Sequence, residues 1–265
     1  MGRERLTDLF AATRAEGRLA FLPYLTAGLP DPASSPSLFA AMEAADAFEV
    51  GIPYSDPLMD GPTIQEGGRR ALSAGTTFDV ALDIVSSVKE RTGKPVVVMT
   101  YVNVVMRRGP EAFASEVAAA GADGVIVADI PLEEALPLRD PVEGAGLGMV
   151  LFAAPTTGDD RLDVVAGADP VFIYGVNDMG VTGERDRDTG RGVTLAGRIR
   201  ARTDVPLVMG VGISRPEQVQ ALHGSADGVI IGSAIVRRVL ESATADEAAA
   251  TLSGYTSEIA PALRG

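Results

Sequence analysis

Ala47-Phe48-Glu49-Val50-Gly51-Ile52-Pro53 is a short apolar run with one carboxylate at its centre and Gly and Pro at its end. Runs of this kind recur at Leu19–Leu25, Ala47–Pro53, Pro95–Asn103, Gly124–Ile130, Met149–Ala154, Val171–Val176, Pro206–Gly212 and Gly228–Gly232. They are rich in Val and Ile and mostly lack polar alternation, as parallel strands buried on both faces do. Between them lie helical patterns. Phe78–Arg91 and Glu111–Ala120 have helix-type apolar spacing, and Ser214-Arg-Pro-Glu217 reads as a capping box with Pro at an early helical position. Eight strands alternating with helices predict an α/β fold, a (β/α)8 TIM barrel, in one domain over residues 1–265. A doubly wound open sheet would need a Gly-rich dinucleotide turn after an early strand. The nearest match, Gly210-Val-Gly212, is late in the chain and has Arg215 at its third Gly position.

Composition narrows the function. At 46% apolar and 22% charged, the 265 residues can bury a substantial core. A formal net charge of -13 argues against nucleic acid, which needs concentrated Lys and Arg. An acidic enzyme still binds anions through backbone N–H groups. The absence of Cys excludes disulfides, thiolate metal sites and a Cys nucleophile, and a single His makes a transition-metal site improbable. The N-terminal stretch is charged and helix-like, so it is not read as a secretion signal, and no run approaches a bilayer span. The expectation is a cytoplasmic protein without a membrane segment.

Barrel chemistry takes place at the C-terminal ends of strands. Alternation along the opening run turns Phe48, Val50 and Ile52 toward the helices and Ala47, Glu49 and Gly51 into the barrel. An inward Glu loses solvation and gains a raised pKa, which suits a group that both donates and accepts protons. A register shift of one residue would instead make Glu49 a solvated strand-end charge. The loop that follows, from Tyr54 to Gln65, is stiffened by prolines and contains Asp56 and Asp60. Taken alone, Asp60 before Gly61-Pro62 reads as turn chemistry as readily as catalysis.

Barrels hold phosphate at the loops after strands seven and eight. Gly212 ends the seventh run within Gly210-Val-Gly-Ile-Ser214, and Gly232-Ser233 opens a helix over Ala234–Glu241. Glycines there admit an anion to backbone N–H groups at a helix start. A flavin phosphate would suit the same arrangement. The glycine-punctuated, charged stretch Asn177–Gly192 reads as a lid. By spacing alone, Leu22, Met99, Tyr101, Ala128, Phe152 and Tyr174 are core packing, and His223 is a cation at a helix C-terminus.

The string Phe48-Glu-Val-Gly-Ile-Pro-Tyr-Ser-Asp-Pro-Leu-Met-Asp-Gly-Pro-Thr-Ile-Gln65 resembles the hallmark segment of the α chain of tryptophan synthase. The resemblance continues through Leu25-Thr-Ala-Gly28, Met99–Asn103, Val127–Pro131, Ala154-Pro-Thr156, Gly180–Gly183, Gly210–Ser214 and Gly232–Val236. It implies retro-aldol cleavage of indole-3-glycerol phosphate to indole and glyceraldehyde 3-phosphate. Glu49 would shuttle protons, and Asp60 would accept the indole N–H. Leu22, Met99, Tyr101, Ala128, Phe152, Tyr174 and Thr182 would line the indole pocket. Gly183 would join Gly212, Gly232 and Ser233 at the phosphate, and lid closure would bring Thr182 to Asp60. Asp129 would be a supporting and interface residue rather than the base. The family pattern departs at Asn177-Asp178, where many members carry Ser-Arg, and Glu184–Gly192 looks extended. The resemblance also implies a β-subunit partner in an α2β2 assembly, with pyridoxal phosphate only in that partner and no cofactor or metal in this chain. A stand-alone lyase releasing free indole, a non-catalytic activator subunit, and a flavin- or ribulose-type phosphate barrel remain the alternatives.

Overall fold

The computed structural model of the chain describes residues 2–176, 190–210 and 212–265. Its elements run α1 (Gly2–Ala15), β1 (Ala20–Thr26), α2 (Ser35–Ala41), β2 (Phe48–Gly51), α3 (Pro62–Ser73), α4 (Phe78–Thr92) and β3 (Val96–Thr100). There follow α5 (Val102–Arg108), α6 (Pro110–Ala119), β4 (Gly124–Val127), α7 (Leu132–Ala135), α8 (Arg139–Gly144), β5 (Gly148–Ala153), α9 (Asp159–Gly167) and β6 (Phe172–Val176). The chain ends with α10 (Gly190–Arg200), β7 (Leu207–Gly210), α11 (Pro216–Gln220), β8 (Gly228–Ile231), α12 (Ser233–Glu241) and α13 (Ala245–Ile259). Each apolar run of the sequence overlaps one strand, within a residue or a few at either end. The strands pair in order, all parallel, and β8 closes on β1, so this is a (β/α)8 barrel.

Alternation along each strand decides which side chains fill the barrel and which meet the helices. Phe48 faces outward, its ring edge-on to Phe39 of α2 at 5.6 Å. Phe172, at the start of β6, faces the barrel floor and packs edge-on against Phe10 of α1 at 5.6 Å. Helix α1 covers that floor, with Leu6 against Gly124 and Phe10 near Gly228. The N-terminal end is thus closed, which leaves the C-terminal end as the open mouth.

Three local expectations are corrected. The third strand stops at Thr100 rather than Asn103, because the Asp129 carboxylate accepts the Val102 N–H at 2.7 Å and Tyr101 becomes the N-cap of α5. Only half of the expected capping box forms at α11, displaced by one residue: Gln218, not Glu217, accepts the N–H of the N-cap Arg215, whose guanidinium cannot accept in return. His223 also lies beyond the end of α11, and its Nε2 pairs with the Ala262 carbonyl at 2.9 Å.

Candidate active site

β2 delivers Glu49 into the barrel. Its neighbours in register are Tyr24 on β1 and Val97 on β3. The residue is only 3% exposed, which excludes the solvated strand-end alternative. Its Oε2 is buried without a hydrogen-bond partner. A carboxylate this dry is costly as an anion. Burial, reinforced by the charge of Asp60, pushes its pKa up to about 8.

Asp60 arrives on the loop between β2 and α3. That loop is held by its own backbone and by Gln65, whose side-chain amide donates to the Asp60 carbonyl at 2.9 Å and the Pro57 carbonyl at 3.4 Å. The Asp60 N–H closes a turn on the Pro57 carbonyl at 3.0 Å. Pro62 then starts α3 with Gly61 as N-cap. Burial raises the Asp60 pKa to about 6, while the Tyr101 hydroxyl facing it acts in the opposite direction. The two carboxylates therefore sit in environments that separate their protonation states near neutrality.

Aromatic rings wall the mouth. Tyr54 stacks on Tyr101 at 5.0 Å between centroids, and Phe152 packs against Tyr174 at 5.0 Å. Burial, followed by the charge of Asp60 for Tyr24 and of Glu49 for Tyr174, drives both hydroxyls well above their ordinary pKa. Glycines supply the room these rings need. A Cβ on Gly51 would overlap the Tyr24 hydroxyl, and one on Gly210 would overlap the Tyr174 hydroxyl.

Across the mouth lie the ends of β7 and β8. Gly212 has φ +81°, which a side chain rarely tolerates, and the space where its Cβ would project is empty. Gly232 is the N-cap of α12. The first intrahelical donors there are Ile235 and Val236, both to the Gly232 carbonyl, at 2.9 and 3.0 Å. The preceding N–H groups of Ser233 and Ala234 are therefore the ones a helix start offers to an anion. Among the described residues, no group of three His, Asp or Glu side chains is arranged to hold a metal ion.

Residues 10–262 match the family profile of the tryptophan synthase alpha chain. The chain belongs to that family. It is 43% identical over 250 residues to the tryptophan synthase alpha chain of Synechococcus elongatus, covering 93% of each chain. Identity to the alpha chain of Chloroflexus aggregans is 41% over 261 residues, covering 97% of each. Among solved structures, Mycobacterium tuberculosis tryptophan synthase superposes with a TM-score of 0.90 at 36% identity, covering 98% of both chains. The tryptophan synthase α2β2 complex of Pyrococcus furiosus does so with a TM-score of 0.84 at 36% identity, covering 92% of this chain and 97% of that one.

In this family member, most residues singled out from the sequence converge at the mouth. Met99 pairs with Gly51, two residues after the Glu49 partner Val97. Tyr101, Phe152 and Tyr174 form the walls described above, and Ala128 follows β4 with its N–H on the Thr100 carbonyl. Leu22 is fully buried two positions before Tyr24 on the same inward row. Thr182, Gly183, the Asn177-Asp178 departure and most of the lid stretch lie outside the described residues. Tyr24 and Tyr54 were not anticipated. Alternation in Leu19–Leu25 marks Tyr24 as inward along with Leu22, but only the register with β2 shows which of the two stands beside Glu49.

Proposed function

We propose that this chain is the α subunit of a tryptophan synthase and cleaves indole-3-glycerol phosphate to indole and glyceraldehyde 3-phosphate. The observation that carries the reading is Glu49, buried and unpartnered beside Asp60, in a member of this family. Glu49 begins as the neutral acid and gives its proton to C3 of the indole ring. The carboxylate so formed takes the proton of the side-chain hydroxyl, the C–C bond breaks, and its electrons restore the aromatic ring. Glu49 ends protonated, ready for another turnover. Asp60, ionised above its pKa of about 6, accepts the indole N–H and stabilises the charge that develops on the ring. Leu22, Met99, Tyr101, Ala128, Phe152, Tyr174 and Thr182 enclose the indole, while backbone N–H groups at Gly183, Gly212, Gly232 and Ser233 hold the phosphate.

The same reading takes residues 1–265 as one domain, cytoplasmic, using no cofactor or metal of its own. It works with a β subunit that carries the pyridoxal phosphate, in an α2β2 assembly. Leu58 and Met59, 87% and 58% exposed on the loop that carries Asp60, support a docking partner at this rim. Among the described residues no single helix is long and apolar enough to cross a membrane.

Glu49→Gln should reduce indole release by about 10²–10⁴-fold while leaving glycerol 3-phosphate binding within twofold. Activity close to wild type would overturn the assignment. Measuring indole release with and without a β subunit separates an α subunit from a stand-alone lyase, which would not respond, and from an activator subunit, which would release none.

A further inference from the structure

The loop that carries Gly212 is held from outside its strand by two side chains. Gln218 of α11 accepts the Ser214 N–H at 2.9 Å and the Arg215 N–H at 3.1 Å on Oε1, and its Nε2 donates to the Gly212 carbonyl at 3.3 Å. From α13, the Tyr255 hydroxyl donates to the Ser214 carbonyl at 3.0 Å. The Arg238 guanidinium lies 3.7 Å above the centroid of the Tyr255 ring. Arg238 belongs to α12, and its Nη1 donates to the Ala234 carbonyl in the first turn at 2.7 Å. A continuous path of contacts thus runs from the start of α12, through Arg238 and Tyr255, to Ser214, Gln218 and Gly212.

Backbone donors reward an anion only when they already converge on its oxygens, because ordering them on binding consumes affinity. The Gly212 loop and the α12 start come from different strands, and Gly212 lacks a side chain to brace its own segment. We propose that Gln218 and Tyr255 are positioning residues that fix the distance between the Gly212 loop and the start of α12. They thereby set the affinity of the site for a phosphate monoester without touching it. This inference rests on the phosphate-binding role given to Gly212, Gly232 and Ser233 above.

The test compares the full chain with Tyr255→Phe, which removes one hydroxyl, and Gln218→Met, which keeps the shape of the side chain and removes its polar atoms. KM and kcat are measured for indole-3-glycerol phosphate, with inhibition constants for glycerol 3-phosphate and for inorganic phosphate. Tyr255→Phe is expected to raise KM and both inhibition constants about three- to tenfold, the worth of one net hydrogen bond, and Gln218→Met, which removes three, to raise them at least as much, each with kcat within twofold. Inhibition constants equal to wild type in either folded variant, or a fall in kcat alone, would overturn the proposal. If Gln218→Met fails to fold, Tyr255→Phe decides by the same readings. A wild-type chain inhibited by neither phosphate would instead sink the underlying phosphate reading.

Discussion

Glu49 and Asp60 differ in how much of their role the chain itself announces. Alternation along Ala47–Pro53 turns Glu49 inward, but the 3% exposure that raises its pKa comes from residues of other strands. Asp60 sits in a proline-rich loop whose spelling fits a turn as well as a site, and only the approach of Tyr101 and the effect of its charge on Glu49 single it out. The two pKa values have a consequence for rate. In the proposed mechanism turnover needs Asp60 ionised, so kcat/KM should rise as pH increases through about 6. It also needs Glu49 protonated at the start, so the rate should fall as pH increases through about 8. A pH–rate profile should therefore be bell-shaped, and Asp60→Asn should remove the acidic limb and move the alkaline one to lower pH, because the charge that helps raise Glu49 is gone. An acidic limb that persists in Asp60→Asn would assign it to another group.

At the scale of elements, the strands were legible and their ends were not. Val and Ile runs identify β3, yet it stops at Thr100 because Asp129, on the loop after β4, captures the Val102 N–H. The start of α11 slipped by one residue for a similar reason. Ser214 has the right side chain for a cap, but its carbonyl is held by Tyr255 of α13, and Gln218 bonds the N–H groups of both Ser214 and Arg215. The glycine in β2 carries its own prediction. A Cβ at position 51 would overlap the Tyr24 hydroxyl and force the ring away from Glu49. Gly51→Ala is expected to lower kcat/KM by about 10²-fold through misplacement of the site and to cost about 1–3 kcal/mol of stability through overpacking. Steady-state kinetics and urea unfolding check the two effects. A folded variant of normal activity would show that Tyr24 does not matter to the site.

For the whole molecule, closure separates a floor that stabilises from a mouth that reacts. Three carboxylates just before strands bind the floor together. Asp46 accepts the Phe21 N–H at 2.9 Å and grips Arg18 with both oxygens. Asp123 accepts the Val96 N–H at 2.8 Å and pairs with Lys89 and with Arg5 of α1. Asp227 accepts the Leu207 N–H at 2.7 Å and pairs with Arg200 and with Arg14 of α1. Each ties the start of the preceding strand (β1, β3 or β7) to the turn that leads into its own, and two of them also fasten α1 to the floor. Asp227→Ala should leave the buried Leu207 N–H without its acceptor and two partly exposed guanidinium groups without their carboxylate, at a cost of about 1–3 kcal/mol in urea unfolding, with kcat changed less than twofold. A stability loss below measurement, or a large fall in kcat, would contradict this division. The eight-strand parallel pattern, the inward parity of Glu49 and the glycines that end β7 and start α12 can all be read along the chain, because periodicity and backbone freedom are local properties. That Tyr24 stands beside Glu49, that Glu49 is dry, and that Gln218 and Tyr255 hydrogen-bond the Gly212 loop is visible only in the folded chain. Those facts depend on strand register and barrel closure, which bring together residues tens to hundreds of positions apart.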